Sequence, residues 1–216
     1  MRVTRRAFGT GLLAGLVGTT GCLDVVRDEE PLTFEAVGAR PSDEALDETG
    51  YRHHVTRSEP VRETIEIAGQ SREVELLNVL VECDKALELG PTGRLRAAAF
   101  VAFTTPSFEV LGRRFHPGDR ISTRRLATEL SSKYDELSIG EEVDERTFTV
   151  FDEEVDVSTF EGRAVLGPTT LDVHVHLGSV MNDADFVVLA GIHPQRLERE
   201  YGNVAVLAES LAATVE

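Results

Sequence analysis

Asp172, His174 and His176 are the residues of this chain best spaced to do chemistry. They alternate with Leu171, Val173, Val175 and Leu177, which predicts a strand over 171–177 with its apolar face inward and the three polar residues together on a solvated outer face. Two imidazoles about 7 Å apart along a strand can converge on one metal ion, with the carboxylate as a third ligand. That pattern would make a metal-binding protein or a metal-dependent enzyme. The competing expectation is that alternating polar residues simply solvate the outer face. On that expectation, which we favour, the chain has no catalytic residues and no cofactor.

The other candidates are weaker. His116 and His193 each precede a proline and are expected in turns, while the adjacent His53 and His54 point to opposite faces of a strand. No Gly-x-Ser-x-Gly elbow, phosphate loop, Cys-x-x-Cys or His-Glu-x-x-His occurs. Cys83 alternates with Leu77, Val79 and Val81 and is expected as a small core residue, because neighbouring Glu82 and Asp84 disfavour a thiolate. Acid pairs such as Glu141-Glu142 are expected on solvated turns.

The first 22 residues carry an address. Arg2, Arg5 and Arg6 precede an uncharged, Gly-rich run over 7–21 that is too short to span a bilayer as a helix, which takes roughly 20 apolar residues. Arg5-Arg6 followed two places on by Phe8 resembles the twin-arginine export motif, which serves a route for folded cargo. The run ends Gly18-Thr19-Thr20-Gly21-Cys22, similar to a lipobox although Thr19 stands where the bacterial pattern has Leu. Residues 1–22 are therefore expected to be a signal ending at a lipidated Cys22. Residues 23–31 would be an acidic tether and 32–216 a single domain, held on the outer face of the cell membrane after export.

Charge sets the partners that fit. The formal net charge is −16, and residues 1–22 hold three arginines and no acid, so the mature part carries 19 basic against 38 acidic residues, or −19. Such an excess repels nucleic acid and anionic surfaces. Lys85 and Lys133 are the only lysines. Acid-rich, lysine-poor composition resembles that of proteins from extreme halophiles, in which concentrated salt screens surface repulsion. The Debye length is about 3 Å at 1 M and about 10 Å at 0.1 M, so the melting temperature should fall when salt is lowered from molar to 0.1 M. An unchanged melting curve would remove the halophile reading.

Patterning places the elements that must position these residues. A strand is expected over 32–37, and a short helix over 43–48 capped by Ser42 and closed by Gly50. Strands over 61–67 and 72–81 flank the hairpin turn Ala68-Gly69-Gln70-Ser71. An apolar run over 95–104 predicts a central strand, and 122–134 has helical spacing. A second hairpin joins 147–151 to 155–160 through Asp152-Glu153-Glu154. Strands over 163–166, 171–177 and 186–192 and a closing helix over 203–213 follow. Leu89-Gly90-Pro91-Thr92 and Leu166-Gly167-Pro168-Thr169 match, which suggests two similar halves, each of strands followed by a helix. The fold class expected is α+β, an antiparallel sheet flanked by helices.

Several segments carry a family likeness. Gly21-Cys22, Asp43-Glu44-Ala45-Leu46-x-Glu48-Thr49-Gly50-Tyr51, the stretch 68–74 and Pro194-Gln195-Arg196-Leu197-Glu198 resemble halophilic archaeal lipoproteins with a domain of unknown function. That resemblance implies no activity. From Thr147 onward the element order is similar to photosystem oxygen-evolving-complex accessory proteins and nuclear-transport factors, which implies an antiparallel sheet between helices. The function expected is a non-catalytic binding or scaffolding module with the membrane, through Cys22, as its one assigned partner. A metal centre at Asp172, His174 and His176 is the alternative.

Overall fold

The computed structural model describes residues 31–67, 69–88, 94–110, 113–115, 122–133, 136–166, 169–182 and 185–214. Arg5, Arg6, Cys22, tether residues 23–30 and both Gly-Pro landmarks lie outside the described residues.

Hairpins build the sheet. Strands β3 (Arg52–Ile67) and β4 (Gln70–Glu88) pair antiparallel, with Ile67 opposite Gln70 and Gly69 in the connection at φ +79°, a conformation that glycine adopts without a Cβ penalty. Strand β5 (Arg94–Pro106) lies against β4. The second meander comprises β8 (Leu137–Val150), β9 (Glu153–Leu166), β10 (Thr169–Asn182) and β11 (Asp185–Pro194), and β11 closes antiparallel on β5. The spatial order is β3, β4, β5, β11, β10, β9, β8. A short β1 (Leu32–Glu35) pairs parallel with Val74–Leu77 of β4, which makes the sheet mixed.

This architecture corrects the expected fold class. The protein is predominantly one large mixed sheet with few helices, not an antiparallel sheet in a helical sandwich, so the likeness to photosystem accessory and nuclear-transport folds fails with it. The expected halves fuse into a single sheet across the β5–β11 seam, and the second contributes four long strands. The cause is strand length. Hydrophobic alternation reports only the buried part of a strand, whereas β3 is exposed along most of its 16 residues and β8 is exposed from Glu141 to Thr147. The second hairpin also turns one residue earlier than expected. Phe151 and Asp152 take φ of +52° and +63°, a two-residue turn with both central residues left-handed. Phe151 accepts that conformation while its ring packs on the core.

The helices are short and unequal in what they cover. Helix α1 (Asp43–Thr49) begins where Ser42 Oγ accepts from the Ala45 amide and ends at Gly50 with φ +75°, as its caps predict. Together with α3 (Arg199–Glu209) and a ribbon of β2 (Ala39–Pro41) and β12 (Leu211–Ala213), it seals one sheet face over Val81, Cys83, Phe100, Val157 and Leu189. Cys83 is a free, fully buried core thiol, and burial raises its pKa to about 11. Helix α3 comes so close that a Cβ on Gly191 would sit 2.7 Å from Val204 Cγ2. Among the described residues the one helix on the opposite face is α2 (Thr123–Lys133), which covers β9 and β10 through Leu126 and Ala127. Short strands β6 (Phe108–Val110) and β7 (Arg113–Phe115) form a separate ribbon that stacks Phe108 between Phe34 and Phe115.

Candidate functional site: a buried histidine pair and an open apolar groove

Strand β10 places His174 and His176 as the alternation requires, on the face opposite Val173, Val175 and Leu177. That face is not solvated at this height. Helix α3 lies over it, and His176 is 0% exposed with its ring edge-on to Tyr201 at 5.0 Å. Register puts His193 of β11 opposite His174, and its ring stacks on His176 at 5.0 Å between centroids. The expectation of a solvated histidine face is corrected: two covered strands, not one, carry the histidines. His193 was legible only as a turn residue because the pairing that brings it to His176 is long-range.

The hydrogen bonds fix the tautomers. His193 Nδ1 lies 3.0 Å from the Pro194 carbonyl, which can only accept, so Nδ1 carries a proton and neutral His193 has Nε2 free to accept. His176 Nε2 then donates to His193 Nε2 across 2.8 Å, and its Nδ1 accepts from the Thr159 hydroxyl at 2.9 Å. All four ring nitrogens are satisfied with both rings neutral. Burial, followed by the neighbouring His193, His174 and Arg146, pushes His176 down to about 3, and burial also lowers His193.

This chain has the connectivity of a nucleophile, a base and an orienting partner, but it lacks the chemistry. A base that protonates near pH 3 takes no proton from a threonine at neutral pH, and Thr159 is 3% exposed. Nor do the three predicted ligands converge. Asp172 has a side chain 70% exposed and faces Arg163 at 3.5 Å. The His176 and His193 nitrogens, at 2.8 Å, are nearer than the about 3.3 Å that two ligands of one tetrahedral zinc keep. Among the described residues no group of three or more His, Cys, Asp or Glu is arranged to hold a metal ion.

A second buried polar cluster locks α3 beside this pair. Glu200, 4% exposed, accepts from Tyr51 Oη at 3.0 Å and Lys85 Nζ at 2.7 Å. Burial alone would raise its pKa, but Lys85, Asn203 and Tyr51 together outweigh burial and lower it. Burial first, then the Glu200 charge, raises the Tyr51 phenol. The three groups join β4, the start of β3 and α3, and their mutual satisfaction marks a structural lock.

A larger space for a ligand lies on the other sheet face. Among the described residues α2 leaves the same face of β5 and β11 uncovered, and a broad groove of about 620 Å³ lies there, bordered by Leu80 of β4 on one side and Leu171 and Val173 of β10 on the other. Its floor is apolar: Val188, Ala190 and Ile192 alternate along β11 beside Ala99, Val101 and Phe103 of β5. The volume falls inside the roughly 300–1,000 Å³ range of ligand pockets. Polar groups gather at its rim, where Arg96 bonds Glu82 and also Asp84 at 3.2 Å, and Arg57 bonds Glu59 at 2.9 Å. The apolar run over 95–104 foretold a central strand, but nothing in it foretold which face would stay uncovered.

No curated protein matches the chain. The domain of unknown function DUF6517 matches residues 38–212, which takes in the groove, the histidine pair and the Glu200 lock, and the chain belongs to that family.

Proposed function

We propose that this protein is a lipid-anchored, extracytoplasmic binding module, exported on the Arg5-Arg6 signal and held at the outer membrane face through Cys22, with the β5–β11 groove as its ligand site. The observation that carries the binding role is the groove itself: half-buried Val101, Phe103, Val188 and Ile192 form one continuous apolar surface. Soluble proteins rarely leave such a surface open without a use for it. The anchoring rests on the residue pattern of 1–22, and the acidic surface fits the resemblance to halophilic archaeal lipoproteins. The apolar floor, with its charged side chains at the edge, supports a binder.

Two measurements test this reading. Cys22→Ser should move the protein from the membrane fraction into the medium or leave an unprocessed precursor, and Arg5→Lys with Arg6→Lys should block export. A Cys22→Ser form that is processed normally and stays on the membrane refutes the lipid anchor. A neutral solvatochromic dye should bind the mature domain saturably at one site, and Val188→Glu should abolish that binding. Absence of saturable binding by a folded wild-type domain removes the binding role.

A further inference from the structure

A smaller pocket lies beside the buried histidine pair, on the α3 face of the sheet and apart from the groove. It measures about 230 Å³, the share of roughly eight water molecules, and is bounded by β8, β10, the end of β11 and α3. We propose that it binds one uncharged sugar ring, or a polyol of that size, through hydrogen-bond donors and acceptors set side by side. Strand β8 shapes its outer wall. Its register on β9 slips between Ile139 and Glu142 and again between Glu142 and Asp144, and such bulges re-aim the side chains beside them. Arg146 Nε donates to Asp144 Oδ2 at 3.0 Å, and the same guanidinium stacks over the Tyr201 ring at 4.1 Å. Held this way, the pair leaves the second carboxylate oxygen and both guanidinium NH2 groups without hydrogen bonds among the described residues. The two side chains are 58% exposed at Arg146 and 43% at Asp144, so a ligand can reach them.

Three further groups in the wall are short of partners. Gln195 is tied to β10 by its backbone N–H, which donates to the Asp172 carbonyl, and by Nε2, which donates to that of Val173 at 3.4 Å, so its Oε1 stays open. The half-buried His174 ring meets His176 and His193 edge-on and makes no hydrogen bond among the described residues. The Tyr201 hydroxyl is buried and equally unpartnered, whereas buried hydroxyls as a rule find a partner. Asp144 and Gln195 thus offer acceptors, Arg146 offers donors, and His174 and Tyr201 can do either. Sugar hydroxyls both donate and accept, and two on neighbouring carbons match a carboxylate oxygen beside a guanidinium N–H. A cation is excluded by Arg146, which already engages the Asp144 carboxylate and covers the Tyr201 face that would otherwise receive it. An anion would meet Glu198 as well as Asp144 on a domain that carries −19.

Calorimetry and saturation-transfer NMR of the purified protein with the methyl glycosides of glucose, mannose and galactose test the site. At least one should bind saturably at a single site with a Kd of about 1 mM, as fits a ligand of about a dozen non-hydrogen atoms in a shallow pocket. Asp144→Ala and Arg146→Gln should each weaken that sugar at least tenfold while the circular dichroism spectrum stays unchanged, since both side chains reach solvent. Val188→Glu, in the groove on the other face, should leave sugar binding as it is, so this site and the groove fail or stand separately. A monodeoxy analogue lacking one hydroxyl of the engaged pair should bind at least tenfold more weakly, and the corresponding sugar phosphate should bind no better than the neutral ring. If none of the three glycosides binds saturably to the folded protein, the proposal is overturned. Binding that survives both Asp144→Ala and Arg146→Gln overturns the placement in this pocket, and a sugar phosphate that binds tenfold more tightly at equal salt overturns the uncharged class.

Discussion

Replacing Glu200 with Ala should destabilise the fold by about 3 kcal/mol, the lower end of what breaking a buried ion pair costs. The value sits low because the Lys85 side chain is 30% exposed and can turn its ammonium to water once its partner is gone. Tyr51 has no such escape: it is 2% exposed, and its hydroxyl would lose the acceptor 3.0 Å away, a loss of about 1–3 kcal/mol. Tyr51 and Lys85 use different oxygens of Glu200, so Glu200→Gln keeps an acceptor for Lys85 and turns its amide N–H toward the Tyr51 hydroxyl, which can accept; it should cost less than Glu200→Ala. Urea denaturation of the three proteins, with shared slope and shifted midpoint, reads the difference. If Glu200→Ala and Glu200→Gln prove equal and near zero, the Tyr51–Glu200–Lys85 cluster does not hold α3.

The second large effect is acid lability. His176 is held neutral, its pKa pushed down from an ordinary 6.5 to about 3, so between those values the unfolded chain binds a proton that the folded chain refuses. Stability is therefore complete above pH 6.5 and declines as pH falls toward 3, by about 1.4 kcal/mol per pH unit, or roughly 3 kcal/mol lost by pH 4.5. His193 is shifted in the same direction and steepens the slope. The groups facing the pair reinforce exclusion or are too few to reverse it. Arg146, stacked 4.1 Å from the Tyr201 ring, and His174 disfavour a further positive charge, whereas Glu200 partly offsets them at His193. Urea midpoints measured from pH 7.5 to 4.5 should give a His176→Leu variant with a lower neutral-pH stability but a shallower slope by about one proton. Parallel slopes for variant and wild type would show that His176 is not the acid-sensitive group.

What could be read from the residues followed from how far each signal reaches along the chain. Ser42 and Gly50 bounded α1 because capping is decided within a few residues, and the Ala68-Gly69 hairpin was equally local. The alternation over 171–177 placed His174 and His176 on one face correctly, since pleating is a local rule. What covers that face is decided by α3, some 25 residues later, and what opposes His176 is decided by the β10–β11 register. For the same reason the sequence shows His193 only as a residue before proline and Glu200 only as one acid among many: each acquires its role from a strand or helix distant in sequence. The groove was invisible on a stricter ground. A strand buried on both faces and a strand bare on one read alike when every residue is apolar, as over 97–103. Sheet extent misled in the opposite sense, because β3 and β8 continue as strands through residues that have no apolar face to betray them.

The β5–β11 seam has a consequence for the order in which the protein comes into being. Each hairpin joins neighbours that a ribosome delivers almost together, but the seam pairs Pro106 with Asp185 and Ala99 with Ile192, and Ala39 waits for Ala213 in the ribbon beneath. Until residue 194 has emerged, the first meander shows the bare edge of β5 and the second does not yet exist as a neighbour. Closing so distant a contact is the slow part of sheet assembly, and an unpaired edge is a template for other chains while it lasts. The domain thus gains its core almost all at once, near the end of its synthesis, and any partner that shields nascent chains has β5 as the strand to hold.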